Sequence, residues 1–172
     1  MLQVYTGNGK GKTTAAIGLS IRAIGAGMKV YFVQFMKGLA YSEQKILQKF
    51  SPQLVLKTSG KPYFIAEEGM IDKEKIKDWG SDIVIFPKGN PPADYIALIS
   101  EGVKAAKAAI LSKQYDVVVL DEINMALFFC LMKKEDAEKL LDSAAENMEI
   151  ICTGRNAPDW LIEKADLVKI GR

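Results

Sequence analysis

A chain of 172 residues, 49% hydrophobic and 26% charged, is long enough to bury a full core and is too apolar to be disordered. Its net charge of +2 carries no basic stripe, which argues against a nucleic-acid partner, and no apolar run approaches the ~20 residues that span a bilayer. Histidine is absent, so zinc hydrolases and serine–histidine hydrolases are nearly excluded, and chemistry must rest on carboxylates, lysines, backbone amides and hard cations.

The first element expected is a strand over Leu2 to Thr6; with no leader-like segment before it, the expected location is the cytoplasm. Next comes Thr6-Gly7-Asn8-Gly9-Lys10-Gly11-Lys12-Thr13-Thr14, then a helix whose apolar stripe is Ile17, Ile21, Ile24 and Met28. A glycine-rich turn between a strand and a helix is the context of a phosphate-binding loop. Its inward amides cradle phosphate oxygens, the helix dipole adds positive potential, Lys12 supplies a cation, and Thr13 offers a hydroxyl to magnesium. Gly7 stands four residues before Gly11, one fewer than the usual spacing, so the loop is a variant. Lys10 is a second phosphate contact or a solvated charge. Arg22 shares a helix face with Thr14 and Gly18, both small, and side chains lean toward the helix N-terminus. It reaches back to the ligand or makes a surface ion pair.

Further strands are expected over Val30 to Phe35 and Leu54 to Lys57. Gln34 and Lys37 fall at the end of the first of these, at a crevice rim or as polar caps. The stretch from Ser59 to Gly80 reads as a long irregular excursion. Strands follow over Ile83 to Phe86, Val117 to Leu120, Ile150 to Thr153 and Leu167 to Ile170. Between them lie helical stripes of Ile96, Ile99, Val103, Ala106 and Ile110, and of Ala137, Leu140, Leu141, Ala144 and Met148. Near-continuous apolar strands alternating with helices predict an α/β fold: one domain over residues 1–172, a mostly parallel P-loop (RecA-like) sheet with helices on both faces. Asp121-Glu122 at the carboxyl end of Val117–Leu120 places carboxylates where open α/β sheets bind ligands. They hold a metal or cap the next helix. Cys130 and Cys152 both lie in apolar runs and read as buried free thiols.

Four blocks together resemble the P-loop ATP–corrinoid adenosyltransferases: Gly7 to Ala16, Val33-Gln34-Phe35-Met36-Lys37-Gly38, Leu120-Asp121-Glu122-Ile123-Asn124, and Thr153-Gly154-Arg155-Asn156-Ala157-Pro158. A similar tail follows from Leu161 to Val168. The short phosphate loop is the form this family carries. The resemblance implies transfer of the 5′-deoxyadenosyl group of ATP to the Co(I) of a corrinoid, with triphosphate leaving and ATP lying in reverse along the loop, in cobalamin synthesis or salvage. It implies Lys12, Thr13 and Glu122 as catalytic, with Thr13 and Glu122 on Mg²⁺ or Mn²⁺ and Asp121 nearby. Arg22, Arg155 and Asn156 join Thr6 to Thr14 around the nucleotide. A flavoprotein reductant and a homodimer are implied partners. The family's Gly-Phe-Thr-Trp-like corrinoid stretch is replaced by Ser59-Gly60-Lys61-Pro62-Tyr63-Phe64-Ile65, where Tyr63 and Phe64 would meet the corrinoid and Trp79 lies too far along to align. The alternatives are a P-loop ATPase or small-molecule kinase acting at the γ-phosphate, and a nucleotide-dependent regulatory module.

Overall fold

The computed structural model describes residues 1–71 and 83–171. Six strands form one parallel sheet: β1 (Leu2–Thr6), β2 (Val30–Phe35), β3 (Leu54–Ser59), β6 (Val117–Asp121), β7 (Glu149–Thr153) and β8 (Leu167–Ile170), in the order β3-β2-β6-β7-β1-β8. Two more, β4 (Phe64–Glu67) and β5 (Ile83–Phe86), pair in parallel as a small second sheet. The described helices are α1 (Lys12–Gly25), α2 (Ser42–Leu47), α3 (Ala93–Ser112), α4 (Ile123–Phe128), α5 (Lys134–Asp142) and α6 (Asp159–Lys164), with a 3₁₀ turn at Gln48–Phe50. None is long and apolar enough to cross a membrane.

Strand alternation explains the layering, since successive side chains point to opposite faces. Val30, Phe32, Val117, Val119 and Ile151 pack on one face with Ala16, Ala23 and Leu47 from α1 and α2. Val33, Phe35, Val118, Leu120, Ile150 and Cys152 pack on the other with Ile99, Ala106 and Ile110 of α3 and Ala137, Leu140 and Leu141 of α5. Strands covered on both faces need apolar residues at nearly every position, the pattern read in the sequence.

The stripe expected on α1 is corrected. Its buried residues are Ala16, Ser20 and Ala23, while Ile21 and Met28 are exposed. Small residues let this helix lie close to the sheet, so the close-packed line outweighs the isoleucine line. Ile96 of α3 is likewise exposed, while Ile99, Ala106 and Ile110 are buried. The expected excursion from Ser59 to Gly80 is also corrected in part. Ser59 ends β3, and Phe64–Glu67 is a strand whose Ala66 and Glu67 are residue types that strands disfavour, so it does not stand out in the sequence. The remainder of that stretch beyond residue 71, with Trp79, lies outside the described residues. Of the two thiols, Cys152 is buried and its pKa is pushed up to about 12 by burial, but Cys130 is exposed. Cys130 turns outward at φ 55 just after α4, between the buried Phe129 and Leu131.

Candidate active site

Strand order brings distant segments together. The chain leaves β1 at Thr6, turns through residues 7–11 and enters α1, which packs across β7, β6 and β2. The first turn of α1 therefore stands above the carboxyl end of β6. There the Thr13 hydroxyl donates to Asp121 Oδ1 at 2.9 Å, although the two residues are 108 apart in sequence. This crevice at the carboxyl ends of the strands is where α/β sheets place ligands.

The loop is built by backbone geometry. Gly7 and Gly11 have φ of 98° and 105°, a region that side-chain-bearing residues rarely enter. The Lys12 ammonium curls over the loop and donates to the carbonyls of Gly7 and Gly9, each at 2.7 Å. Burial and the Arg155 guanidinium pull its pKa below the usual lysine value, against the pull of Glu122. The far end of the chain braces the loop: Gly9 N–H donates to the Gly171 carbonyl at 3.2 Å, and Gly171 N–H donates to the Thr6 carbonyl at 2.8 Å. A side chain on Gly7 would overlap the Gly171 backbone.

Asp121 is fully buried and organises the floor. Its Oδ1 accepts from Thr13 and from the Thr153 hydroxyl at 2.6 Å; its Oδ2 accepts from Lys37 Nζ at 2.8 Å and from Gln34 Nε2 at 3.2 Å. Lys37 also donates to Thr13 Oγ1 at 3.2 Å. Burial pulls the Lys37 pKa down, but the Asp121 charge and hydrogen bond, with Glu122 and Glu43, outweigh it and leave it above the usual value. Gln34 is oriented in turn by Gln44 of α2, whose Nε2 donates to Gln34 Oε1 at 3.0 Å.

Glu122 stands at φ 64, left-handed, which ends β6 and turns its side chain toward the crevice before α4 begins. Its N–H donates to Thr153 Oγ1 at 3.0 Å. Burial, then the Asp121 charge, raise its carboxyl pKa, opposed by Lys37, Lys12 and Arg155. Gly154 leaves the carboxylate room, since a Cβ there would lie 3.2 Å from Glu122 Oε2. The buried Asn124 donates to the Gly154 carbonyl at 2.9 Å, while its Oδ1 has no partner among the described residues.

Thr6, Gly7, Gly9, Gly11, Lys12 and Thr13 thus line one rim, with Asp121 and Glu122 opposite. Asn8, Lys10 and Thr14 are exposed beside them. Arg155 and Asn156 are exposed at the end of β7, and Ala157 N–H donates to Thr6 Oγ1 at 3.3 Å, tying that segment to the loop. Arg22 is exposed on the same open face of α1 as Thr14 and Gly18 and makes no side-chain hydrogen bond with any described residue. Tyr63 is half-buried, edge-on to Tyr95 with ring centroids 6.1 Å apart, and Phe64 is 38% exposed on β4. Sequence reasoning left Thr153, Glu43 and Gln44 without roles. Thr153 carried a signal, a polar residue ending an apolar strand; Gln44 acts through a neighbour and carried none.

A divalent cation fits the oxygen set. Among the described residues no three His, Cys, Asp or Glu side chains converge. The Thr13 hydroxyl with the Glu122 and Asp121 carboxylates is nevertheless a hard-oxygen set, and Mg²⁺ needs few protein ligands because it keeps several waters.

A model of the family described as ATP:corrinoid adenosyltransferase BtuR/CobO/CobP matches residues 1–170. The chain is similar to a corrinoid adenosyltransferase of Sinorhizobium sp., 30% identical over 98% of this chain and 70% of that protein. The corrinoid adenosyltransferase of Escherichia coli is 30% identical over 96% of this chain and 72% of its own length. An uncharacterised protein of Nostoc sp. is 34% identical over 96% of this chain, which spans only 42% of that relative.

Proposed function

The chain belongs to the ATP:corrinoid adenosyltransferase family, and on that premise we propose that residues 1–172 act as one domain that transfers the 5′-deoxyadenosyl group of ATP to a Co(I) corrinoid. The cobalt electron pair forms a Co–C bond at the ribose C5′. The C5′–O bond breaks, and its electrons leave with triphosphate. No proton moves in this step, so a protein without histidine has what the chemistry asks.

The observation that carries the reading is the junction of loop and floor: Lys12 is folded over the Gly7 and Gly9 carbonyls, and the next residue, Thr13, bonds Asp121 through its hydroxyl. A leaving group with several negative charges is stabilised by fixed donors and cations placed before the reaction starts. Lys12 and the loop amides supply them along the triphosphate; the family resemblance implies that ATP lies in reverse, with its γ-phosphate deep in the loop and C5′ open to the corrinoid. Mg²⁺ or Mn²⁺, held by Thr13 and Glu122 with Asp121 behind them, would neutralise further phosphate charge. Arg155, Asn156, Thr6 and Thr14 flank the nucleotide, Asn8 and Lys10 close the loop's outer side, and Arg22 reaches toward it along the open face of α1. Tyr63 and Phe64 supply apolar surface for the corrinoid. Family membership supports a homodimer, a flavoprotein as the source of electrons and a place in the cytoplasm.

The test is incubation with ATP, magnesium and a reduced cobalamin or cobinamide under strictly anaerobic conditions. The spectrum of an adenosylated corrinoid with inorganic triphosphate as product is the expected result. ADP or orthophosphate as product, with no Co–C bond, would transfer the assignment to a γ-phosphate kinase or ATPase.

A further inference from the structure

Lys37 reaches the site by a rigid route. Met36 before it is left-handed at φ 59, and its N–H donates to the Ser59 carbonyl at 2.8 Å. Gly38 and Gly60 face each other across the turns that follow β2 and β3. A Cβ on Gly60 would overlap the backbone of Met36, Lys37 and Gly38, and a Cβ on Gly38 would overlap that of Gly60 and Lys61. The two turns are therefore clamped backbone to backbone. Their clamp sends the Lys37 side chain inward, where it is 12% exposed.

Inside, the ammonium is 2.8 Å from Asp121 Oδ2, 3.2 Å from Thr13 Oγ1 and 3.6 Å from Glu43 Oε1, and it stands 5.4 Å above the Tyr41 ring. Thr13 and Asp121 are two of the three residues assigned above to a divalent ion. A magnesium ion bonds its ligands at about 2.1 Å, so an ion on the Thr13 hydroxyl and the Asp121 carboxylate would stand close to the Lys37 ammonium, and their like charges repel.

We propose that Lys37 is a built-in cation that competes with the divalent metal for the Thr13–Asp121 pair, so that metal is accepted only together with a polyphosphate. The inference rests on the metal reading given above. It assigns Lys37 a positioning role: its charge keeps buried Asp121 compensated without metal, and a polyphosphate arriving with the metal offers the displaced ammonium a new anion. Four rotatable bonds let a lysine exchange partners while its backbone stays clamped.

Manganese binding decides it, read without ATP from the loss of the free Mn²⁺ signal in electron paramagnetic resonance, and with ATP from the Mn²⁺ retained on the protein side in equilibrium dialysis against a protein-free Mn²⁺–ATP control, since ATP itself chelates the ion. Wild type is expected to bind Mn²⁺ with ATP and negligibly without it. Lys37→Met and Lys37→Gln are expected to bind Mn²⁺ without ATP at least ~10-fold more tightly than wild type, because a repelling charge is gone, and Lys37→Arg to behave as wild type. The glutamine variant keeps a donor for Asp121, so it decides the question if the methionine variant fails to fold. Unchanged Mn²⁺ affinity in the folded neutral variant, while wild type still takes Mn²⁺ with ATP, overturns the competition and leaves the metal reading standing. No protein-bound Mn²⁺ in any variant, with ATP present, overturns both.

Discussion

Lys12 and Glu122 show how single side chains are tuned by their surroundings. The Lys12 ammonium is held by two loop carbonyls 2.7 Å away, partners that a phosphate outcompetes because its bonds to an ammonium are charge-assisted on both sides. Lys12→Ala is expected to weaken ATP binding by ~100-fold or more, about 2.7 kcal/mol, in isothermal titration; unchanged affinity would mean that the nucleotide does not lie on this loop. For Glu122 the sign runs the other way from an ordinary paired carboxylate. Its folded pKa lies above the unfolded value, raised by burial and by Asp121, so the folded state binds the proton more tightly. Stability is then lost as pH rises from the unfolded pKa through the folded one, and the loss is complete above it. In buffer free of nucleotide and divalent ions, Glu122→Gln is expected to melt higher than wild type at neutral pH, by 2–4 °C for each ~1 kcal/mol recovered. The gain should vanish at a pH below the ordinary carboxylate range. A lower melting point at neutral pH would show that Glu122 is paired in the folded protein.

Among elements, the clamp between the turns after β2 and β3 has the sharpest consequence. Gly60 has no room for a methyl group because its neighbours are backbone atoms of Met36, Lys37 and Gly38, which cannot rotate away as a side chain can. Gly60→Ala is expected to cost roughly 1–3 kcal/mol in denaturant unfolding, the range for overpacked sites. It should also disturb the Lys37–Asp121 ion pair at 2.8 Å without touching any loop residue. A variant of unchanged stability would show that the turns separate readily. These glycines stand in plain view in the sequence, but what they avoid lies about 22 residues away across two strands, and no local pattern reports it. The same holds for α1: its isoleucines mark a helix correctly, while the face that packs is chosen by how closely the sheet is approached at Ala16, Ser20 and Ala23.

For the molecule as a whole, two apolar layers around one parallel sheet supply the stability on which the crevice depends. Ile151 at the middle of β7 is fully buried between β6 and β1. Ile151→Ala is expected to cost about 2–5 kcal/mol in denaturant unfolding, the range for an isoleucine removed from a packed core. Nucleotide affinity of the folded fraction should be unchanged, since no loop contact is lost. A much smaller cost would mean that the strand repacks. β7 also carries Thr153 and Gly154 to the site, so the strand that anchors the core holds the floor beneath Asp121 and Glu122.

What the residues determine by themselves is whatever depends on local order along the chain. Strand–glycine loop–helix at Leu2 to Gly25 needs only neighbours, so β1, the loop and α1 were legible, as were the apolar period of β6 and the carboxylates that end it. Seven of the eight described strands follow from such runs; the eighth, Phe64–Glu67, ends in Ala66 and Glu67, residue types that strands disfavour, and so does not declare itself. The resemblance of four blocks reached the family for the same reason, because each block is contiguous. Only the tertiary structure decided which of these blocks touch. The order β3-β2-β6-β7-β1-β8 stands Thr13 over Asp121 and brings Lys37, Gln34 and Thr153 onto the same carboxylate. It also lays Gly171 against Gly7. Those contacts join residues that the chain separates by tens to more than a hundred positions. They exist because apolar strands buried on both faces can be stacked in only a few orders, and the polar ends follow wherever the core takes them.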